Sequence, residues 1–452
     1  MSDPQALPGM ESLVGGDKRM AEGGAAERVA NAAAPRLRCA DRRQIRMEAS
    51  CLDDLLPTDH RARVVWSVVE RLDLSCFLHE IAARGSDPGR AATDPKILAS
   101  LWVYATMDNI GSAWRLAKLC GEHAAYRWLC GGVSVNHHTL SDFRVADEKR
   151  LDDLLTQVIT MLVAQDLVKI DRISQDGLRV RAAAGQSSYR RRASLQRLKR
   201  KVAAEVARLK RQREDPDDDR SAAQRAAQER SARERESRID RALALLPELE
   251  EIKNHQTGKP SKSREARVST TDPEARRMKR GDGSIGPAYN LQFGADVQSR
   301  AIVGVAVSTE GDDRPQSEAM RKQITARTGQ EVRKHLYDGG YVKKELIEAA
   351  SAEAKPVTIY APLPAGKDGR PCRESRRDTP GVQAWRQRMS NEQGQTIYRQ
   401  RASTSETINA DLATHRGLKS LNVWGPSKAL CVAVWAALAY NLLHFGTALI
   451  QS

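Results

Sequence analysis

The chain has 452 residues, with 73 Lys and Arg against 58 Asp and Glu, a formal net charge of +15 and a pI near 9.6. That length exceeds what one small core needs and predicts two or three domains, while 40% hydrophobic and 4% aromatic residues argue against one large continuous core. The basic balance excludes an acidic, partner-solvating chain and points to a polyanionic ligand, nucleic acid first.

Residues 1–44, rich in Gly, Ala and Pro and without hydrophobic periodicity, are expected to form a disordered tail. Residues 45–166 read as an all-helical domain. Val64, Val65, Val68, Val69 and Leu72 repeat at helix spacing, and Thr93-Asp94-Pro95 is a start signal, a capping side chain before Pro at the first helical position. The helix it opens carries Ile97, Leu98, Leu101 and Tyr104 and is interrupted by Asp108-Asn109-Ile110-Gly111. Ser112 then caps a second helix with Leu116, Leu119 and Cys120. Trp66, Trp102, Trp114, Tyr126, Trp128 and Phe143 fall in this block, so it is expected to close an independent all-α core that includes Trp114 and Trp128. His137-His138 lack Cys or carboxylate partners at ligand spacing and read as a loop or helix cap.

Between 189 and 280 the composition shifts: 27 Lys and Arg face 16 Asp and Glu, so +11 of the total charge lies here. Leu195, Leu198, Val202, Val206 and Leu209 form a narrow coiled-coil seam. Asp215-Pro216-Asp217-Asp218-Asp219 breaks it, and Ile239, Leu243, Leu246 and Leu249 form a second seam. The expected structure is a basic antiparallel helical hairpin, inserted over 189–288 into a domain made of 167–188 and 289–452. That domain opens on Asp176-Gly177-Leu178-Arg179-Val180-Arg181-Ala182, which alternates like a strand. Strands at 289–297 and 301–308, a helix at 315–328, a strand at 334–338, a helix at 343–352 and a strand at 357–360 follow. Helices near 403–413 and 428–449 end the chain. This is an α/β pattern, a mixed sheet with helices on its faces.

The seven cysteines, Cys39, Cys51, Cys76, Cys120, Cys130, Cys372 and Cys431, are scattered and contain no C-x-x-C pair. They exclude a disulfide scaffold and a zinc ribbon and fit a reducing cytoplasm. No basic segment followed by an apolar run opens the chain, so no signal peptide is expected. The apolar run 429–443 has 15 residues, short of the roughly 20 a bilayer span needs, and is read as a buried core helix of a soluble protein.

Three acids stand where chemistry gathers: Asp176 in the first strand, Asp338 in the strand-ending turn Asp338-Gly339-Gly340-Tyr341, and Glu406 on a late helix after Tyr398 and Arg401. Two Mg²⁺ ions acting on an in-line phosphoryl displacement need convergent carboxylates of this kind. With Asp176-Gly177, Asp272-Pro273-Glu274-Ala275-Arg276-Arg277-Met278-Lys279, Tyr289-Asn290-Leu291-Gln292, Tyr398-x-x-Arg401 and Asn441 in order, residues 45–449 resemble a bacterial insertion-sequence transposase of the DDE type. The resemblance implies an RNase H-like catalytic core behind an N-terminal helical DNA-binding domain.

It further implies that Asp176, Asp338 and Glu406 bind two Mg²⁺ ions (or Mn²⁺). Tyr398 and Arg401 would grip the DNA end, and a homodimer would hold paired inverted-repeat ends and target double-stranded DNA, away from any membrane. Two departures from the pattern are visible. Glu406 stands five residues after Arg401, not four, with Ser405 in the expected place. The Lys expected seven residues after Glu406 is Ala413, the nearest bases being Arg416 and Lys419, which take the DNA-contact role by proximity. The helical pair around Gly111 resembles a helix-turn-helix, offering 112–120 or 139–144 to DNA. The irregular Glu406 spacing leaves open a repurposed DNA-binding protein that does not cut, and an RNase H-like resolvase is a third reading.

Overall fold

The computed structural model describes residues 43, 45, 51–79, 81–84, 91–213, 221–257, 265–364 and 375–451. The tail expected over 1–44 (Arg43 apart) and the break at Asp215–Asp219 lie outside the described residues. Residues Cys51–Ser452 form one compact unit.

The unit begins with helices: α1 (Arg61–Glu70), α2 (Ser75–Leu78), α3 (Pro95–Met107), α4 (Ala113–Glu122), α5 (Ala124–Cys130), α6 (His137–Arg144) and α7 (Glu148–Ala164). The local signals act as their chemistry predicts. Asp94 accepts from the Lys96 amide at 2.8 Å with Pro95 in the first turn, and Ser112 accepts from the Arg115 amide at 3.3 Å, each satisfying an amide the helix start leaves open. The cap of α6 is Asn136, and the two histidines follow it as the first helical residues. Trp128 packs edge-on against Trp66, but Trp114 is 64% exposed. Its neighbour Leu116 is the fully buried residue of α4, so Trp114 falls on the outer face rather than in the expected core.

The rest runs β1 (Arg172–Arg181), β2 (Tyr189–Arg190), α8 (Arg192–Arg213), α9 (Ala222–Thr257), β3 (Val268–Ser269), β4 (Arg276–Lys279), β5 (Ile285–Asp296), β6 (Ile302–Ser308), α10 (Gln316–Thr328), β7 (Lys334–Leu336), α11 (Lys344–Ala352) and β8 (Thr358–Tyr360). Helices α12 (Pro380–Ser390), α13 (Glu392–Arg401), α14 (Thr407–His415) and α15 (Pro426–Gln451) close it. β1 is central, antiparallel to β5 and parallel to β7, which is parallel to β8. β6 and β4 take successive stretches of the outer edge of β5, both antiparallel. The sheet is therefore mixed, as expected.

α8 and α9 are the expected hairpin. Lys199 pairs with Asp240 at 2.8 Å, Arg192 with Glu250 at 2.7 Å and Arg235 with Glu205 at 3.7 Å. One partner's number falls as the other's rises, so the two helices are antiparallel. Their seam residues bury against each other, Leu195 with Ala242 and Leu246, and Val202, Val206 and Leu209 with Ala232 and Ile239. The antiparallel pair β2–β3 draws the two ends of the arm together. The insertion ends earlier than the expected 288, because β4 and the start of β5 belong to the main sheet.

The helical block does not close a core of its own, and the low aromatic content does not preclude one large core. A single apolar cluster runs from α1, α3 and α7 through α15 into β1, β5 and β6. The reason is α15: apolar on every side, it must be covered on every side, and it packs on α1, α3 and α7 as well as on β6. The run 429–443 thus lies inside the protein. A second cluster, with Tyr337, Ile347, Ile359 and Trp385, underlies β7, β8, α11 and α12.

Asn441 of α15 finishes the open edge of β6. Its Oδ1 accepts from the Ile302 amide at 2.9 Å and its Nδ2 donates to the Ile302 carbonyl at 2.8 Å, all buried. Gln323 does the same for Val305 at 3.0 and 2.9 Å. Asn441→Leu strands one amide and one carbonyl where water cannot reach. It is expected to lower stability by about 2–4 kcal/mol, read from the urea midpoint; an unchanged midpoint would show that the edge is satisfied by other means.

His335, fully buried in β7, has no hydrogen-bond partner on either ring nitrogen among the described residues. Burial, and then Arg321, hold its pKa well below the ordinary 6.5. The folded state keeps it neutral while the unfolded state protonates, so stability is full above about pH 6.5 and is lost as pH falls below it. His335→Leu should remove up to about 1.4 kcal/mol per pH unit of that slope. Urea midpoints of the two proteins between pH 5 and 7 compare the slopes, and parallel lines would refute a neutral core histidine.

Candidate active site

Asp176 sits mid-strand in β1, opposite Phe293 of β5, its side chain 18% exposed. Burial raises its carboxyl to about 6; Arg401 opposes that rise, while Asp338 and Asp313 add to it. Asp338 follows β7 and caps the short turn Gly339–Tyr341, accepting from the Gly340 amide at 2.8 Å.

Glu406 ends a π-turn, Ala402–Glu406, between α13 and α14. A π-turn takes one more residue than an α-turn, which is the one-residue excess after Arg401. Ser405, at the position where the pattern places Glu, is buried with its Oγ 2.5 Å from Ser174 Oγ on β1. Glu406 instead accepts from Arg401 Nη2 at 3.0 Å, and Arg401 Nη1 reaches Asp176 Oδ2 at 3.4 Å. One guanidinium thus spans both acids and keeps them within a nanometre of each other. Asn409, one turn on, donates to Asp176 Oδ2 at 3.2 Å.

The surroundings match a charged cluster in a half-dry setting. Tyr398 is half-buried; burial raises its pKa, countered by Arg401, with Asp338 and Asp176 adding to the rise. Burial alone would lower the pKa of Arg401, yet Asp176, Tyr398 and Asp338 hold it above the ordinary value. Asp176, Asp338, Glu406, Tyr398 and Arg401, chosen from scattered positions in the sequence, are therefore drawn to one place. Arg416 is not part of it. Its buried guanidinium is held by Asp411 at 3.0 Å and by the Met107 carbonyl, tying α14 to α3, so it is not placed to grip DNA. Lys419 is exposed beyond α14.

Asp313, which the sequence reading passed over, is the fourth acid here. It is 8% exposed, and its Oδ1 accepts from Asn290 at 2.5 Å and Gln292 at 2.8 Å, its Oδ2 from Arg179 at 3.3 Å. Gln292 is itself fixed by Gln175 at 2.9 Å and by the Tyr341 hydroxyl. A Cβ built on Gly340 would lie 3.0 Å from Asp338 Oδ1 and 3.4 Å from Asp313 Oδ2, so the two carboxylates share one small space. The same network explains Gly177: an added Cβ would stand 2.6 Å from both Asn290 Oδ1 and Gln292 Nε2. The signal was present in the sequence, since Asn290 and Gln292 two apart put two amides on one face of a buried strand.

Among the described residues no three His, Cys, Asp or Glu side chains stand as a ready-made set of metal ligands, and Arg401 occupies the position of a counter-cation. The donor set nevertheless suits a hard divalent ion. Every candidate is a carboxylate oxygen, and Asp338 and Asp313 stand close enough to add to the rise that burial gives the Asp176 carboxyl.

The other motif residues hold the scaffold. Asp272, fully buried, accepts from the Tyr289 hydroxyl at 2.6 Å and from the Gly425 amide at 3.2 Å, joining β5 to the start of α15.

Among known families, residues 50–146 match the one described as Transposase domain (DUF772). The match spans about a fifth of the chain, covers α1 to α6 and includes none of the acids above. Comparison with curated proteins and with solved structures gave no match.

Proposed function

We propose that the chain is a DDE-type DNA transposase that cuts a phosphodiester at the inverted-repeat ends of an insertion sequence and joins the freed 3′-hydroxyl to target DNA. The observation that carries the reading is Arg401, which draws Asp176 and Glu406 onto one guanidinium beside Asp338. The transposase-domain match over the helical block supports it. So does a mixed sheet with one acid mid-strand and another at the end of the neighbouring parallel strand, in keeping with an RNase H-like core.

Asp176, Asp338 and Glu406 are the proposed holders of two Mg²⁺ ions (or Mn²⁺), which when bound would stabilise the attacking and leaving oxygens of an in-line displacement. Asp313 and its amide network keep the space beside Asp338 anionic and rigid. Tyr398 offers a ring for the terminal nucleotide, and Arg401 a planar fork for its phosphate. Holding two element ends at once calls for a homodimer on double-stranded DNA, working in the cytoplasm.

The test is an oligonucleotide duplex carrying the repeats that flank the reading frame, incubated with the full chain and Mg²⁺ or Mn²⁺. Nicking at the repeat ends, followed by joining, is the expected result. Arg401 between the acids favours a second reading, a protein that occupies the repeats without cutting. Retarded migration of the duplex with no nick in either metal would select it. Metal binding has its own readout: Mg²⁺ should raise the thermal midpoint of the wild type and leave that of Asp176→Asn unmoved.

A further inference from the structure

A cavity of about 1110 Å³ lies where the returning end of the helical arm meets the sheet, between α9, β3, β4 and the loop after β6. Six cations line it: Arg179, Lys253, Arg267, Arg276, Arg277 and Arg314. Four are balanced internally or tied to backbone, Arg276 among them through the Pro273 and Glu274 carbonyls at 3.1 and 3.5 Å. Arg179 pairs with Asp313 at 3.3 Å, Arg314 with Asp312 at 2.8 Å, and Lys253 donates to the Glu265 carbonyl at 3.2 Å. Glu265 itself faces Arg191 at 3.4 Å. Arg267, Arg276 and Arg277 have no carboxylate at ion-pair distance among the described residues, and Arg267 and Arg277 are exposed. Burial first, and then the nearby charges of Arg267, Arg277 and Arg191, push the Lys253 ammonium below its ordinary value. The lining includes Asp313 and Gly340, the residues that share their space with Asp338. Tyr189 also lines the cavity, its hydroxyl donating to the Ala275 carbonyl at 2.9 Å.

We infer that this cavity is a phosphodiester subsite that receives a single strand of DNA and leads it to the carboxylates. The inference rests on the DNA reading above and deepens it. Size suits the single strand: a space of about 1110 Å³ offers room for one stretch of backbone with its bases rather than for two paired strands. Charge selects the backbone, because arginine forks without carboxylate partners suit phosphate oxygens. The ring of Tyr189 adds a surface on which a base can stack. The arm therefore has a role at its root, where α9 and β3 wall the approach to the acids, rather than along its length.

The experiment compares binding of the full chain to a blunt repeat duplex and to the same duplex with a single-stranded tail. Wild type should prefer the tailed duplex by tenfold or more. Arg267→Glu combined with Arg277→Glu, both at exposed positions, should abolish the preference. It should also reduce the log–log salt slope on the tailed duplex by about 1.4, two phosphates at about 0.7 each. Lys201→Glu with Lys210→Glu, the same charge change on the exposed arm, should keep the preference, and so should Arg267→Gln with Arg277→Gln to a lesser degree than wild type. A charge-reversed pair that behaves as wild type overturns the subsite, as does an arm variant that loses as much. Wild type that binds neither duplex overturns the DNA reading itself.

Discussion

Asp176→Asn should reduce strand cleavage by about three orders of magnitude or more while leaving affinity for the repeat duplex within about twofold, and the variant should be more stable than the wild type in metal-free buffer. The second half follows from the carboxyl's own setting. Its folded value of about 6 lies above the ordinary 3.8, so the fold disfavours the charged form. Stability that is full below about pH 3.8 is lost as pH rises through 6, and at neutral pH the native carboxylate destabilises by up to about 3 kcal/mol. Asparagine keeps the shape and the contact with the Gly177 amide without the charge. Arg401 retains Glu406 as partner. A gain of several degrees in thermal midpoint, shrinking as the buffer is taken from pH 7 towards pH 4, would mark a site whose charge is tolerated for chemistry. Unaltered cleavage would remove Asp176 from the mechanism, and a fall in stability would show that Arg401 more than compensates its burial.

Much of the architecture is legible because it depends on local chemistry. Asp94-Pro95 and Ser112 start helices wherever they are placed, and the two leucine seams of the arm need only each other. What was not legible depends on contacts between distant segments. The run 429–443 announces a buried helix but not its neighbours, so nothing local says that one helix will serve both the helical block and the sheet and merge their cores. Arg416 looks like a free base in the sequence; only the placement of α14 against α3 turns it inward onto Asp411 and Met107. Asp313 lies in Gly311-Asp312-Asp313-Arg314, which reads as a solvated turn. It becomes part of the site because the register of β5 aims Asn290 and Gln292 at it. The acids at 176 and 338 were easier, since a strand fixes which face a side chain takes and a following turn marks its end.

At Glu406 the spacing in the sequence and the geometry of the helix differ by one residue, and that difference carries the second large effect. Counting four residues from Arg401 selects Ser405, and an unbroken α-helix would present that position to the sheet's acids. The π-turn Ala402–Glu406 delays the helix by one residue, so position 405 faces Ser174 in the interior and position 406 faces Arg401. Glu406→Gln is therefore expected to lose cleavage by about a hundredfold or more. Moving the carboxylate to the nominal position, with Ser405→Glu and Glu406→Ser together, should not restore it. The relocated carboxylate would be buried against β1 without a cation, a charge the interior does not tolerate unpaired, at a cost of several kcal/mol. The double variant should accordingly melt well below the wild type. In the otherwise wild-type chain, deletion of Ser403 shortens the turn to an α-helical one and puts Glu406 four residues after Arg401, the register the pattern describes, so that variant should keep part of the wild-type activity. If the double variant cuts DNA as well as the wild type, the π-turn is not what aims the third acid, and the assignment of Glu406 fails with it.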